Sequence, residues 1–169
     1  DLAPAELALG WTAAGFAKNR RMAGGPVDPD VPVLRVAAPG GKLRAVLLGY
    51  ACHCTSMGAV DKVFGDWAGS AAEALEKAHP GVVAPVLIGC GADANPVACP
   101  QNDYEVPRRY GRDLAGAVNT LLEGTEWRMV SGPVAGHLAR PVAPFEKLPT
   151  REELEKTLKE SGTDVVGAA

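Results

Sequence analysis

Between Val31 and Ala51 the chain carries two apolar runs, VPVLRVAA and KLRAVLLGYA, separated by Pro39-Gly40-Gly41. Residues of this kind bounded by a Pro-Gly-Gly break predict two strands joined as a hairpin. From Asp66 onward the period changes. In WAGSAAEALEKAH, Trp67, Ala71, Leu75 and Ala78 recur at helical spacing and Pro80-Gly81 ends the run, so an amphipathic helix is predicted with Asp66 near its start. The following VVAPVLIGC, Val82 to Cys90, lacks polar alternation and predicts a strand buried on both faces, with GADANP after it as a turn. A second helix fits PRRYGRDLAGAVNTLLEG, with Tyr110, Leu114, Val118 and Leu121 as its stripe and Gly124 as its stop.

The two ends are less periodic. ELALGWTAAGF is compatible with a strand or a short helix, and KNRRMAGGPVDPD, Lys18 to Asp30, reads as a loop. WRMVSGPVAGHLARPVAPF reads as extended chain interrupted by Gly and Pro. Thr150 with Glu153 makes a capping box for a last helix, REELEKTLKESG, while TDVVGAA has no assignment. The order hairpin, helix, strand, helix, strand, helix predicts a layered α/β architecture with a mixed sheet, as a single domain over residues 1–169.

Composition narrows the function classes. The chain has 169 residues, 47% of them hydrophobic, and a formal charge of −3, enough for one domain with a sizeable core. Its Lys and Arg are not clustered as phosphate-backbone binding requires, so no nucleic-acid partner is expected. No window approaches the roughly 18 consecutive apolar residues of a spanning helix, although contact with a membrane surface stays open. The opening DLAPAELALG has none of the marks of a signal peptide. The four cysteines, Cys52, Cys54, Cys90 and Cys99, match no zinc-finger spacing; Cys90 with Cys99 is the better candidate pair, because Cys52 and Cys54 would point apart.

Candidate chemistry sits in two loops that leave strand ends, CHCTSMG and GCGADANP; were their strands parallel neighbours, both loops would face one crevice. His53 is either a metal donor held at the end of an apolar strand or a buried histidine bonded to backbone. Asp66 reads strongly as a helix N-cap, and Asn19 and Arg20 equally as solvated loop, unless the Arg20 fork points inward to grip a carboxylate. His79, at a helix end, and His137, on an extended segment, read as structural or surface residues. GADANP lacks the Gly-Lys-Ser/Thr ending of a phosphate loop, and Asp93 and Asn95 suit a tight turn. A cysteine nucleophile is disfavoured, because neighbours on a strand point apart and His53 would not activate Cys52 or Cys54.

In order along the chain, NRR, GPVDPDVPVLRV, AVLLGYACHCTSMG, GDWAG and VLIGCGADANP resemble the neutral/alkaline non-lysosomal ceramidase family over roughly Leu7 to Pro96. The resemblance implies part of the N-terminal catalytic domain of a divergent bacterial-type member, an internal piece of a larger chain, secreted or periplasmic. It implies a zinc-dependent amidase with His53 as a metal ligand. The family's other ligands, an upstream histidine and a downstream glutamate and tyrosine, have no matching motif here. Asn95 stands where the family carries a serine important for catalysis.

The mechanism so implied is attack on an amide or ester carbonyl of a lipid-like or other N-acyl small molecule by water whose pKa zinc lowers to roughly 7. Asn95 would steady the oxyanion, and Arg20 and Asp66 would position substrate or support the site. Two rivals remain: a non-catalytic binding or structural domain on the same scaffold, and a cysteine-dependent enzyme using Cys52, Cys54 or Cys90.

Overall fold

The chain runs β1 (Glu6–Ala13), β2 (Ala17–Asn19), β3 (Asp30–Ala37), β4 (Leu43–Tyr50), α1 (Asp66–Ala78), β5 (Val86–Ile88), β6 (Ala94–Pro96), α2 (Glu105–Glu123), β7 (Arg128–Val130) and α3 (Arg151–Ser161). The computed structural model describes residues 3–58, 60–97, 103–133, 135–145 and 147–161. The hairpin forms where the sequence places it. β3 and β4 pair antiparallel with Val33 opposite Leu48, and Gly40 and Gly41 turn the chain at φ values of 93° and 88°, where a side chain is disfavoured.

The undecided opening is a strand: β1 pairs antiparallel with β3, Leu9 opposite Leu34, and β7 pairs with β1 on the other side. β5 runs parallel to β4, giving a mixed five-stranded sheet in the order β5-β4-β3-β1-β7, as the α/β reading predicts. The expectation of a doubly buried strand over Val82 to Cys90 is corrected. β5 is an edge strand of three residues, and Leu87 and Ile88 are 56% and 49% exposed. An unbroken apolar run looks the same at a sheet's edge as at its centre, so composition alone misplaces it.

Alternation directs Val31, Val33, Val46, Leu48 and Tyr50 into the core, against Trp67, Ala71 and Leu75 of α1 and Leu114 and Val118 of α2. Burying each larger apolar side chain contributes about 1.5–3 kcal/mol. Ala78, assigned to the α1 stripe, is instead exposed at the helix end, and Leu121 is half-buried at the core's margin. The two helices touch closely at Gly111, where an added Cβ would lie 2.5 Å from the Ser70 Cβ and 2.7 Å from the Trp67 carbonyl oxygen.

The chain divides into two compact units, Asp1–Gly132 and Pro133–Ala169. The first holds the sheets, α1 and α2. In the second, described residues outside any helix or strand precede α3, whose capping box forms as read: the Thr150 N–H donates to Glu153 Oε2 at 2.7 Å, and the Glu153 N–H to Thr150 Oγ1 at 3.2 Å. The unassigned TDVVGAA lies outside the described residues. No described helix is long and apolar enough to cross a membrane.

Candidate functional site

A small second sheet carries the site. β2 and β6 pair antiparallel, Ala17 opposite Pro96, Lys18 opposite Asn95 and Asn19 opposite Ala94. Backbone bonds extend the ladder at both ends, from the Val97 N–H to Phe16 O at 2.8 Å and from the Arg20 N–H to Asp93 O at 2.7 Å. GADANP is therefore a turn that continues into a strand, a correction to the reading of it as turn alone.

Three-residue strands have little stability of their own, and the core supplies it. Phe16, one residue before β2, stacks on Tyr110 at 4.8 Å and meets the rings of Tyr50 and Trp67 at 4.9 and 5.4 Å. The Tyr50 hydroxyl accepts from the Ala17 N–H at 3.2 Å and donates to Ala14 O at 3.1 Å. Burial pushes the Tyr50 phenol up from 10.0 to about 12, against the opposing pull of the Ala17 N–H.

Beside this ribbon lies a cavity of about 740 Å³ whose lining includes Lys18, Arg20, Arg21, Thr55 and Asn95. Asn19 shapes the loop that walls it. Its Oδ1 accepts from the Arg21 and Met22 N–H groups at 3.0 and 2.9 Å, while its Nδ2 donates to Pro26 O and Asp93 Oδ2, both at 3.0 Å. An Asn closing its own backbone this way is an Asx turn.

The loops after β4 and β5 do meet, since the two strands are parallel neighbours. The His53 N–H donates to Ala94 O at 2.9 Å, and the His53 carbonyl accepts from Trp67 Nε1 at 2.9 Å. His53 Nε2 is shut off from solvent and has no hydrogen-bond partner; Asn95 Oδ1 is in the same condition. His53 does not itself line the cavity, whereas Thr55, two residues on, does. Gly91 lets the loops close up: a Cβ there would stand 2.6 Å from both Ala51 C and Cys52 N.

Asp66 does not cap α1; Gly65 takes that position. The Asp66 carboxylate instead holds the His53 loop, Oδ1 accepting from Ser56 Oγ at 2.6 Å and the Trp67 N–H at 2.7 Å, and Oδ2 from the Ser56 N–H at 2.9 Å. Its φ of 52° is left-handed, a conformation Asp tolerates better than most residues. Arg20 is exposed on the cavity wall, its Nε donating to Ala92 O at 2.9 Å. The structure thus gathers Arg20, Asn95 and the His53 loop around one place and sets Asp66 behind it.

Burial pushes the Cys52 and Cys54 thiols up from 9.0 to about 12 and about 11, which leaves little thiolate for nucleophilic attack. Cys90 is also a free thiol; its expected partner, Cys99, lies outside the described residues. His79 Nε2 contacts Asn119 Oδ1 at 2.8 Å, away from the cavity, and His137 is exposed in the second unit.

Two solved structures share this architecture. Neutral ceramidase from Pseudomonas aeruginosa is 22% identical, with a TM-score of 0.61 over 74% of this chain and 24% of its own. A ceramidase complexed with C2 is 22% identical, with a TM-score of 0.62 over 74% of this chain and 23% of its own. The fold is ceramidase-like. The chain spans about a quarter of the length of either ceramidase. No protein-family model and no curated protein matches the sequence.

Within this ceramidase-like fold, the zinc that the resemblance implies finds a partial fit. His53 offers an unpartnered buried nitrogen, which suits one ligand, but the described residues contain no group of three or more His, Cys, Asp or Glu able to hold a metal. Sequence reasoning missed Lys18, Arg21 and Ser56, and left Asn19 as a solvated loop residue. An Asn followed by two arginines and then Gly24-Gly25 was the available signal for a closed turn.

Proposed function

We propose that this chain forms part of a ceramidase-like hydrolase that cleaves an amide or ester bond in a lipid-like or other N-acyl substrate. The observation that carries the reading is the pair of orphaned atoms, His53 Nε2 and Asn95 Oδ1, on segments joined by the His53 N–H to Ala94 O bond. A buried polar atom without a partner costs about 1–3 kcal/mol, so two on adjoining segments, one of which lines the cavity, suit a bound group that completes them.

His53 would be one zinc donor. A catalytic zinc takes about three protein donors, so the others would come from outside the described residues. Zinc held there would supply positive charge to lower the pKa of water and polarise a carbonyl. Asn95, whose amide presents Nδ2 in place of Oδ1 after a half-turn, would donate to the developing oxyanion. Arg20 would orient the substrate, and Asp66 would act as a positioning residue through Ser56.

The alternative is a binding or structural domain without chemistry, favoured by Asn95 in place of the family's serine and by the single donor. Metal analysis and amide and ester hydrolysis, on the intact protein and on His53→Ala, separate the two. Near-stoichiometric zinc and turnover, both lost in the variant, would support the hydrolase. Absence of zinc and turnover in the unaltered protein would sink it.

A further inference from the structure

Lys18 and Asn95 are direct partners across the β2–β6 ladder, so their side chains leave the same face of the ribbon, and both line the cavity. Cβ atoms of such pairs lie about 4.5–5.5 Å apart. Arg20 and Arg21 line the same space, and no Asp or Glu does so among the described residues. None of the three cations belongs to an ion pair of the described structure. The nearby Asp93 carboxylate is engaged by Asn19 Nδ2 at 3.0 Å and does not line the cavity. The chain as a whole has a formal charge of −3, so three cations without an ion pair lining one cavity run against its overall balance.

We infer that the cavity selects N-acyl amino acids, with the carboxylate held by Lys18 and Arg21 while the amide lies against Asn95. This rests on the hydrolase reading and names its substrate class. Placement favours a carboxylate: in an N-acyl amino acid it is one carbon removed from the amide nitrogen, and the ladder sets a cation directly beside Asn95 on the same face. Arg21 adds a planar fork suited to a carboxylate's two oxygens. The neutral hydroxyl head of a simple N-acyl alcohol amine leaves these cations without a counter-charge.

The test is equilibrium binding to the intact protein by calorimetry, with N-octanoylglycine and N-octanoylethanolamine below their micellar concentrations, and with inorganic phosphate. The glycine conjugate is expected to bind about tenfold more tightly than the ethanolamide, as one charge-assisted contact implies. Lys18→Gln or Arg21→Gln, each checked for unchanged far-UV circular dichroism, would remove most of that difference. Lys42→Gln, in the β3–β4 hairpin away from the cavity, would keep it, and higher salt would shrink it.

Equal affinities, a preference that survives both cavity substitutions, loss of it in Lys42→Gln, or phosphate binding as tightly as N-octanoylglycine would each overturn the inference. Binding needs no turnover. Preference without hydrolysis of either ligand would therefore uphold the cavity and sink the hydrolase, whereas hydrolysis of the ethanolamide without preference would do the reverse.

Discussion

Replacing Asp66 by Asn tests whether this carboxylate is the anchor of the His53 loop. Asp66 is 6% and Ser56 2% exposed, so water is poorly placed to repair what the substitution breaks. Both carboxylate oxygens accept, three bonds in all, from Ser56 Oγ, the Ser56 N–H and the Trp67 N–H. An amide has one acceptor. Whichever way it turns, its NH2 meets either the Ser56 N–H or the Trp67 N–H, and one backbone donor is stranded. Hydrogen bonds to a charged acceptor contribute about 1.5–3 kcal/mol each, and a stranded buried donor costs about 1–3 kcal/mol, which together suggest a loss of ~3 kcal/mol. With a urea slope of about 2 kcal/mol per molar, the midpoint followed by tryptophan fluorescence should fall by about 1.5 M. Combining it with Ser56→Ala should cost well under the sum of the two changes, because the residues share a bond. A midpoint shift under ~0.3 M for Asp66→Asn would refute the anchor and leave Asp66 free for another role.

Two further outcomes follow from packing and burial. Gly91→Ala forces a methyl group within 2.6 Å of backbone that no rotamer change can move, so it should destabilise the protein by about 1–3 kcal/mol in the same urea assay; an unchanged midpoint would contradict the close approach of the two loops. The Tyr50 phenol ionises at about 12 in the folded chain against 10.0 ordinarily, so above pH 10 the unfolded chain loses this proton first and stability falls as pH rises towards 12. Tyr50→Phe should cost about 1 kcal/mol at neutral pH yet flatten that alkaline decline, and an equally steep decline in both proteins would count against it.

The elements legible in the sequence were those whose order is local. Apolar runs around Pro39-Gly40-Gly41, the stripe Trp67, Ala71, Leu75 and the Thr150–Glu153 box each specify their own geometry over a few residues, and each formed. The ribbon did not announce itself. Ala17–Asn19 and Ala94–Pro96 are too short for periodicity, and what makes them strands is each other, together with Phe16 and Tyr50 in the core. The same holds at the site. Arg20, Asn95 and His53 could be picked out by residue type, but Lys18 gains its interest only from facing Asn95, and Asp66 takes on a supporting part only because Ser56 lies within its reach.

The cavity's two walls should breathe at different rates. The Ala17 amide, bonded to a phenol that is itself 1% exposed, can meet solvent only when the aromatic cluster comes apart, so its hydrogen exchange should approach the rate set by global unfolding. The Arg21 and Met22 amides are tied by the oxygen of one half-buried asparagine and should exchange through small local openings many times more often. The ribbon face bearing Asn95 and Lys18 thus behaves as a fixed jaw with the lifetime of the core. The arginine turn has only its own local bonds to hold it.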